Sequence, residues 1–476
     1  MGMGTDTQWL DAVEQAEMVR ARQVTPTELV DAAIERIERL DPALNAVVLR
    51  WFDEARAAAA NATGRLRGVP FLLKDLWADE ADRPISNGNR ALRAAGYRAP
   101  SDTTLVARYR AAGLVTLGRT NSPELGALPT TEPVAWGPTH NPWDRTRTPG
   151  GSSGGAAAAV AAGMVPAAHA SDGGGSIRIP AACCGLVGLK PSQGRITLGP
   201  LRDESGLGVE HVVSRTVRDS ALLLELTRGP GVGDTVQAPP PRQSYLHEVG
   251  MPTGRLRIGL LDHRPTGGDV HPDCADAVRA AARLLESLGH HVEAGFPAAL
   301  TDAGATARFA AMWSTNMALG VDRLGGMLGR ALTDDDVEAS TWAQAQWGRG
   351  ISGVDYATAL GAAARWRRSL QQWWADGWDV LLTPTTAEPA PLLGEHADNP
   401  ADPLAPLRRA GQWVSFTTAF NVSGQPAISL PLHWTADGRP VGVQLVTAYG
   451  REDLLIRVAS QLEEARPWAH RRPAIG

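Results

Sequence analysis

Lysine is nearly absent from this chain of 476 residues: of 46 basic residues only Lys74 and Lys190 are lysines, and the other 44 are arginines. Arginine evidently serves almost everywhere a cation is needed. Two positions have kept a side chain that can shed its proton, which guanidinium does not do in proteins. Tight packing at those two positions is the plainer explanation, and both remain open. Cysteine is scarce as well. Cys183, Cys184 and Cys274 make an odd number with two of them adjacent, which argues against a disulfide framework and for a reducing, cytoplasmic setting. No apolar run approaches ~18 residues, and Met1 to Leu10 lack a cationic stretch followed by an apolar one, so neither a membrane span nor a secretory leader is expected. With 46 basic against 51 acidic residues, there is no basic footprint for nucleic acid. HExxH and CxxC patterns are missing, and the His290-His291 pair falls at a helix-to-strand transition, so no metal site is expected.

What is present is a large apolar fraction, 43%, enough for a sizeable core and for a small-molecule or peptide-like partner. Residues 5 to 62 read as helical: Thr25-Pro26-Thr27-Glu28 is a capping box with proline at the first helical position, followed by Leu29, Ala32, Ile34 and Ile37 at helical spacing. The short apolar run Val69 to Leu73 predicts a buried strand that delivers Lys74 at its end. Beyond it, a helix near 102–112, strands at 255–261, 291–294 and 378–383, and a helix at 274–288 predict an α/β fold with a mostly parallel or mixed sheet. Gly- and Pro-rich residues 229 to 255 and 387 to 408 read as long surface connections. Seven tryptophans (313, 342, 347, 366, 373, 374 and 378) crowd residues 305 to 378. They pack helices together or line an apolar cleft.

Most of the chemistry is written between Gly150 and Pro191. Gly150-Gly151-Ser152-Ser153-Gly154-Gly155 opens an alanine-rich stretch, and a second cluster, Asp172-Gly173-Gly174-Gly175-Ser176, follows. A flexible linker would not recur between apolar elements, and a phosphate loop needs a lysine that these glycines lack. Gly151 to Gly155 also fits GxSxG, the nucleophile elbow of α/β-hydrolases, with Ser153 at its centre and His396, His433 and His470 downstream. Glycine-rich loops produce that match easily.

Taken with Gly68 to Asp75, the two serine clusters resemble the amidase signature family, as do Asp172 to Pro191, Phe420 to Ala427 and Gly438 to Leu445. The resemblance implies an amidase-signature fold with a large mixed β-sheet covered by helices on both faces. It also implies one domain over 1–476: a helical segment at 1–62, a catalytic core at 63–228, a variable substrate-determining region at 229–420 and a return to the core at 421–476. It implies Lys74, Ser152 and Ser176 as a Ser-cisSer-Lys triad, with Ser152 after a cis peptide bond and relaying the proton from Ser176, which carries the acyl group. No cofactor is implied. For lysine to act as the base it must be neutral, so its pKa must fall from ~10.4 toward ~7, and burial beside Phe71 to Leu73 acts in that direction.

Gly173, Gly174 and Gly175 would let backbone amides approach the carbonyl oxygen as an oxyanion hole. Gly173 stands where the family commonly has a bulkier residue, which suggests a looser hole. Asp172 and Arg178 would orient the loop, while Cys183, Cys184 and Lys190 read as structural. A narrower likeness, to members that open cyclic amides, rests on Thr131 to Gly137, Asn141-Pro142-Trp143 and Ala448 to Leu455. The expected partner is an uncharged or cyclic small-molecule amide, and a homodimer is left open. A general aryl or aliphatic amidase, an amidotransferase subunit passing ammonia to a partner that carries tRNA, and a non-catalytic binder on the same fold are the alternatives.

Overall fold

A computed structural model of the chain describes residues 7–203 and 206–475. Its strands are β1 (Val47–Arg50), β2 (Pro70–Lys74), β3 (Val115–Thr120), β4 (Ala167–Asp172), β5 (Val187–Lys190), β6 (Val209–Ser214), β7 (Arg257–Leu260), β8 (His291–Ala294), β9 (Val380–Pro384), β10 (Ala427–Trp434) and β11 (Pro440–Val446). They join in one sheet in the order β1-β3-β2-β4-β6-β5-β10-β11-β9-β7-β8. β2 runs parallel to both β3 and β4, whereas β6 is antiparallel to β4 and β5. The sheet is therefore mixed.

Alternation along β2 shows how both faces are used. Phe71 and Leu73 belong to the buried apolar cluster that holds Tyr109, Leu222, Val278 and Leu455, while Leu72 belongs to a second one with Val30, Ile34, Ala157 and Cys183. Helices supply most of these partners, so both faces are covered, and β2 is buried throughout, as its unbroken apolar run requires. Lys74 is the last residue of that run. The helices Gly154–Ala161 and Arg178–Cys184 pack on the Leu72 side, and each is preceded by one of the two serine clusters.

The capping box forms as the sequence predicts: Thr25 Oγ1 accepts from the amide of Glu28 at 3.2 Å, and the Glu28 carboxylate accepts from the amide of Thr25 at 2.7 Å. The N-terminal segment, read as helical, also holds a strand. Helices at Ala12–Arg20, Pro26–Leu40 and Phe52–Ala60 are interrupted by β1, because Val47 and Leu49 find an antiparallel partner in β3. Residues 5 and 6 of that expectation lie outside the described residues. Residues 229–255 carry no helix or strand, as expected, but a helix, Ala405–Trp413, begins inside the second proposed connection. The tryptophan-rich region folds as three helices, Ala305–Leu328, Ala339–Arg349 and Gly353–Ala375, the first of which brings Trp313 and Phe309 against Gly173 and Gly174 just after β4.

Candidate active site

Lys74 is wholly buried. Its Nζ lies 2.7 Å from Ser152 Oγ and 2.9 Å from Ser171 Oγ. The Gly151-Ser152 peptide bond is cis. Burial pushes the Lys74 amine down to about 7; Glu210 and Asp172 act against that shift and Arg202 with it. The position is set by the sheet. β2 and β4 are parallel neighbours, with Leu72 opposite Ala168, so the ends of both strands bring Lys74 and Ser171 together. Gly126 closes the site from the other side. It has φ +69°, and a Cβ there would stand 2.8 Å from Leu76 Cδ2 and 3.1 Å from Ser152 Oγ.

The second cluster is pinned by an ion pair with no solvent exposure. Arg178 donates from Nε to Asp172 Oδ2 at 2.9 Å and from Nη2 to Asp172 Oδ1 at 3.0 Å. Burial alone would raise the Asp172 carboxyl, but Arg178 beside it holds it well below the usual carboxylate range. Arg178 also reaches Gln444, Asn421 and the carbonyl of Thr417, so β11 and the segment before β10 are tied to the loop. Removing one member of such a pair leaves a buried, unmatched charge.

Of the three glycines, Gly175 differs from expectation. Its amide donates to Asp172 Oδ1 at 2.8 Å, so it serves the turn rather than an incoming carbonyl. Its φ is +138°, and a Cβ there would collide with Thr417 Oγ1 at 2.5 Å. The amides of Gly173 and Gly174 have no protein acceptor among the described hydrogen bonds. The missing side chain at Gly173 does not leave a hole: a Cβ would meet the ring of Trp313 at 3.1 Å.

Ser176 is 7% exposed and opens on a cavity of about 410 Å³. Its walls include Ile179, Phe309, Trp313, Trp366 and Phe416, together with Gly126 to Pro129. Phe309 and Trp313 stack with centroids 5.4 Å apart. Of the three charged residues in the lining, Asp302 and Arg308 pair at 2.6 Å, and Arg264 has no acidic partner among the described residues. Among the seven tryptophans Trp313, Trp347 and Trp366 line the cavity, whereas Trp373 packs on Trp374 and Trp378 away from it.

Ser153 takes no part in an elbow. Its hydroxyl is buried and exchanges hydrogen bonds of 3.2 Å with the backbone of Ser171, and none of His396, His433 and His470 bonds to it. The three cysteines are buried and free. Among the described residues no group of His, Cys, Asp or Glu stands where it could hold a metal ion, and no helix is long and apolar enough to cross a membrane. Sequence reasoning missed Ser171, His169 and Glu210. Only the pairing of β2, β4 and β6 puts them beside Lys74.

The chain is 43% identical over 477 residues to the 6-aminohexanoate-cyclic-dimer hydrolase of Paenarthrobacter ureafaciens, covering 98% of this chain and 97% of that one. A solved structure of a 6-aminohexanoate cyclic dimer hydrolase complexed with substrate superposes with a TM-score of 0.96 at 42% identity, over 99% of this chain and 100% of that one. A bacterial aryl acylamidase follows at a TM-score of 0.86 and 30% identity, over 98% of each chain. A sequence model of the Amidase family matches residues 28–456, which together with these near-complete alignments shows that the chain belongs to the amidase signature family and is an amide-hydrolysing enzyme.

Proposed function

We propose that the enzyme cleaves small, uncharged amides, 6-aminohexanoate cyclic dimer foremost, through an acyl-enzyme on Ser176. The observation that carries this reading is the buried contact of Lys74 Nζ with Ser152 Oγ at 2.7 Å, at an amine that burial brings to about 7. A neutral amine has two N–H groups and one lone pair. It can donate to Ser171 while accepting the proton of Ser152. Ser152 in turn takes the proton of Ser176 as that oxygen bonds to the substrate carbonyl carbon, and the carbonyl electrons move onto oxygen. The amides of Gly173 and Gly174 receive the negative oxygen. Collapse breaks the C–N bond, with the proton returned through Ser152 to the leaving nitrogen. Water then attacks the ester, its proton following the same route, and the bond from carbonyl carbon to Ser176 oxygen breaks.

Substrate class is argued from the cavity. Its lining is dominated by apolar side chains, and two of its three charges neutralise one another. An ammonium would find no unpaired anion in this lining, whereas a cyclic diamide has no free amine or carboxylate. A fluorophosphonate probe should modify Ser176, read by peptide mass; labelling at Ser153 would overturn the assignment. Hydrolysis should be faster for the cyclic dimer than for charged linear oligomers or glutamine. The reverse order would overturn the substrate class and leave the amidase chemistry standing.

A further inference from the structure

Beneath the contact of Lys74 with Ser152 lies a second line of buried polar groups on β2, β4 and β6. The Nδ1 of His169 accepts the backbone N–H of Lys74 at 3.2 Å. That places the ring proton on Nε2, which donates to Glu210 Oε2 at 2.7 Å. The other carboxylate oxygen of Glu210 takes an N–H of Arg202. Register builds the line: His169 stands opposite Val212 and Ser171 opposite Glu210 across the antiparallel pair. His169 is unexposed and Glu210 3% exposed, and the ring of Tyr109 meets the imidazole edge-on at 6.0 Å. A carboxylate placed so deep is costly to bury. Arg202 is its charged partner, reaching in from a segment where its side chain is 19% exposed.

We infer that His169 and Glu210 are positioning residues of this enzyme, His169 fixing the main chain at Lys74 and the Glu210 carboxylate, balanced by Arg202, setting how firmly the Lys74 amine holds its proton. This rests on the reading of Lys74 as the base. The charges that act on the amine are Glu210 from β6, Asp172 from the end of β4 and Arg202 from the segment after β5; the first two favour the ammonium and the third the neutral amine. His169 is kept neutral by burial. Asp172 is fastened to Arg178, so the Glu210–Arg202 pair is the adjustable part.

The two partners must act in opposite directions. Glu210→Gln removes an anion that favours the ammonium, so the rising limb of kcat/KM against pH should move toward acid, by about one pH unit. Arg202→Gln should move it toward alkali by a similar amount. The measurement is kcat/KM on an uncharged amide from about pH 5 to about pH 10, with folding checked by circular dichroism. Purely structural residues would lower the plateau and leave the limb in place, and that result would overturn the proposal. If Glu210→Gln does not fold, the partly exposed Arg202 carries the test alone.

For His169, an Asn replacement keeps an acceptor for the Lys74 N–H and a Leu replacement does not. kcat should be largely kept in the first and fall in the second, with KM little changed; equal losses would overturn its part. A native profile without the limb, or a Lys74→Arg enzyme of near-native activity, would instead remove the base itself. A native limb near pH 7 that both charge variants leave unmoved would remove only this proposal.

Discussion

The surroundings of the two lysines make an instructive pair. Lys74 ends β2 and Lys190 ends β5; both are completely buried, and burial pushes both amines down to about 7. By the direction and extent of that shift alone they are indistinguishable. By geometry they are not: Lys74 faces two hydroxyls, Ser152 and Ser171, while the Nζ of Lys190 donates to the carbonyl of Pro191 at 2.9 Å. A carbonyl oxygen has no proton to give. A shifted pKa marks a buried amine, and only a hydroxyl within reach makes it a base. Asp172 acts on both, favouring the ammonium at each.

The sharpest break of this comparison is Lys74→Arg against Lys190→Met. Arginine retains the charge but does not accept a proton near neutral pH, so kcat/KM should fall at least ~100-fold. Lys190→Met should stay within about threefold of native and keep the rising limb near pH 7, because removing a hydrogen bond to a carbonyl touches no reacting atom. A folded Lys74→Arg enzyme with near-native kcat/KM would end the parallel between base and bystander.

Stability against pH gives the next largest effect. In the folded chain Lys190 loses its proton at about 7, against 10.5 for an unburied lysine. Between those values the unfolded chain binds more protons, so this residue makes stability rise with pH, by up to about 1.4 kcal/mol per pH unit. Below about 7 the contribution is flat. Urea midpoints of native and Lys190→Met enzymes should therefore differ most at the acidic end of that window and converge toward its alkaline end. Parallel curves would mean that Lys190 keeps its charge in the folded state.

The smallest effect belongs to Ser171→Ala. It removes one of two hydroxyl partners of Lys74 and leaves Ser152 in place, so kcat should fall about fivefold, as loss of a hydrogen bond of ~1 kcal/mol implies, with little change in KM. A loss as large as that of Lys74→Arg would place Ser171 in the proton path itself.

Read along the chain, the two lysines and the two glycine-serine clusters stood out because their residue types are rare or clustered, whereas the grouping of Lys74, Ser152 and Ser176 came from the resemblance to the amidase signature family. Lysine occurs twice, and the two glycine-serine clusters stand out from the apolar elements around them. The strand before Lys74 and the capped helix after Thr25 were legible from local pattern, since apolar runs and capping boxes act over a few residues. β1 was not. Val47 to Arg50 is too short to declare itself before β3 offers an edge.

What only the tertiary structure decided is which residues meet. Ser171, His169 and Glu210 are ordinary polar residues in strand sequences, and they reach Lys74 because β2, β4 and β6 are neighbours in the sheet. Gly175 could be told from Gly173 and Gly174 only once its amide was seen on Asp172. The cavity wall likewise draws Trp313 and Trp366 but not Trp373 from one tryptophan-rich segment. Residue type and short-range spacing are properties of the chain itself. Contact across strands depends on a register that no single segment encodes.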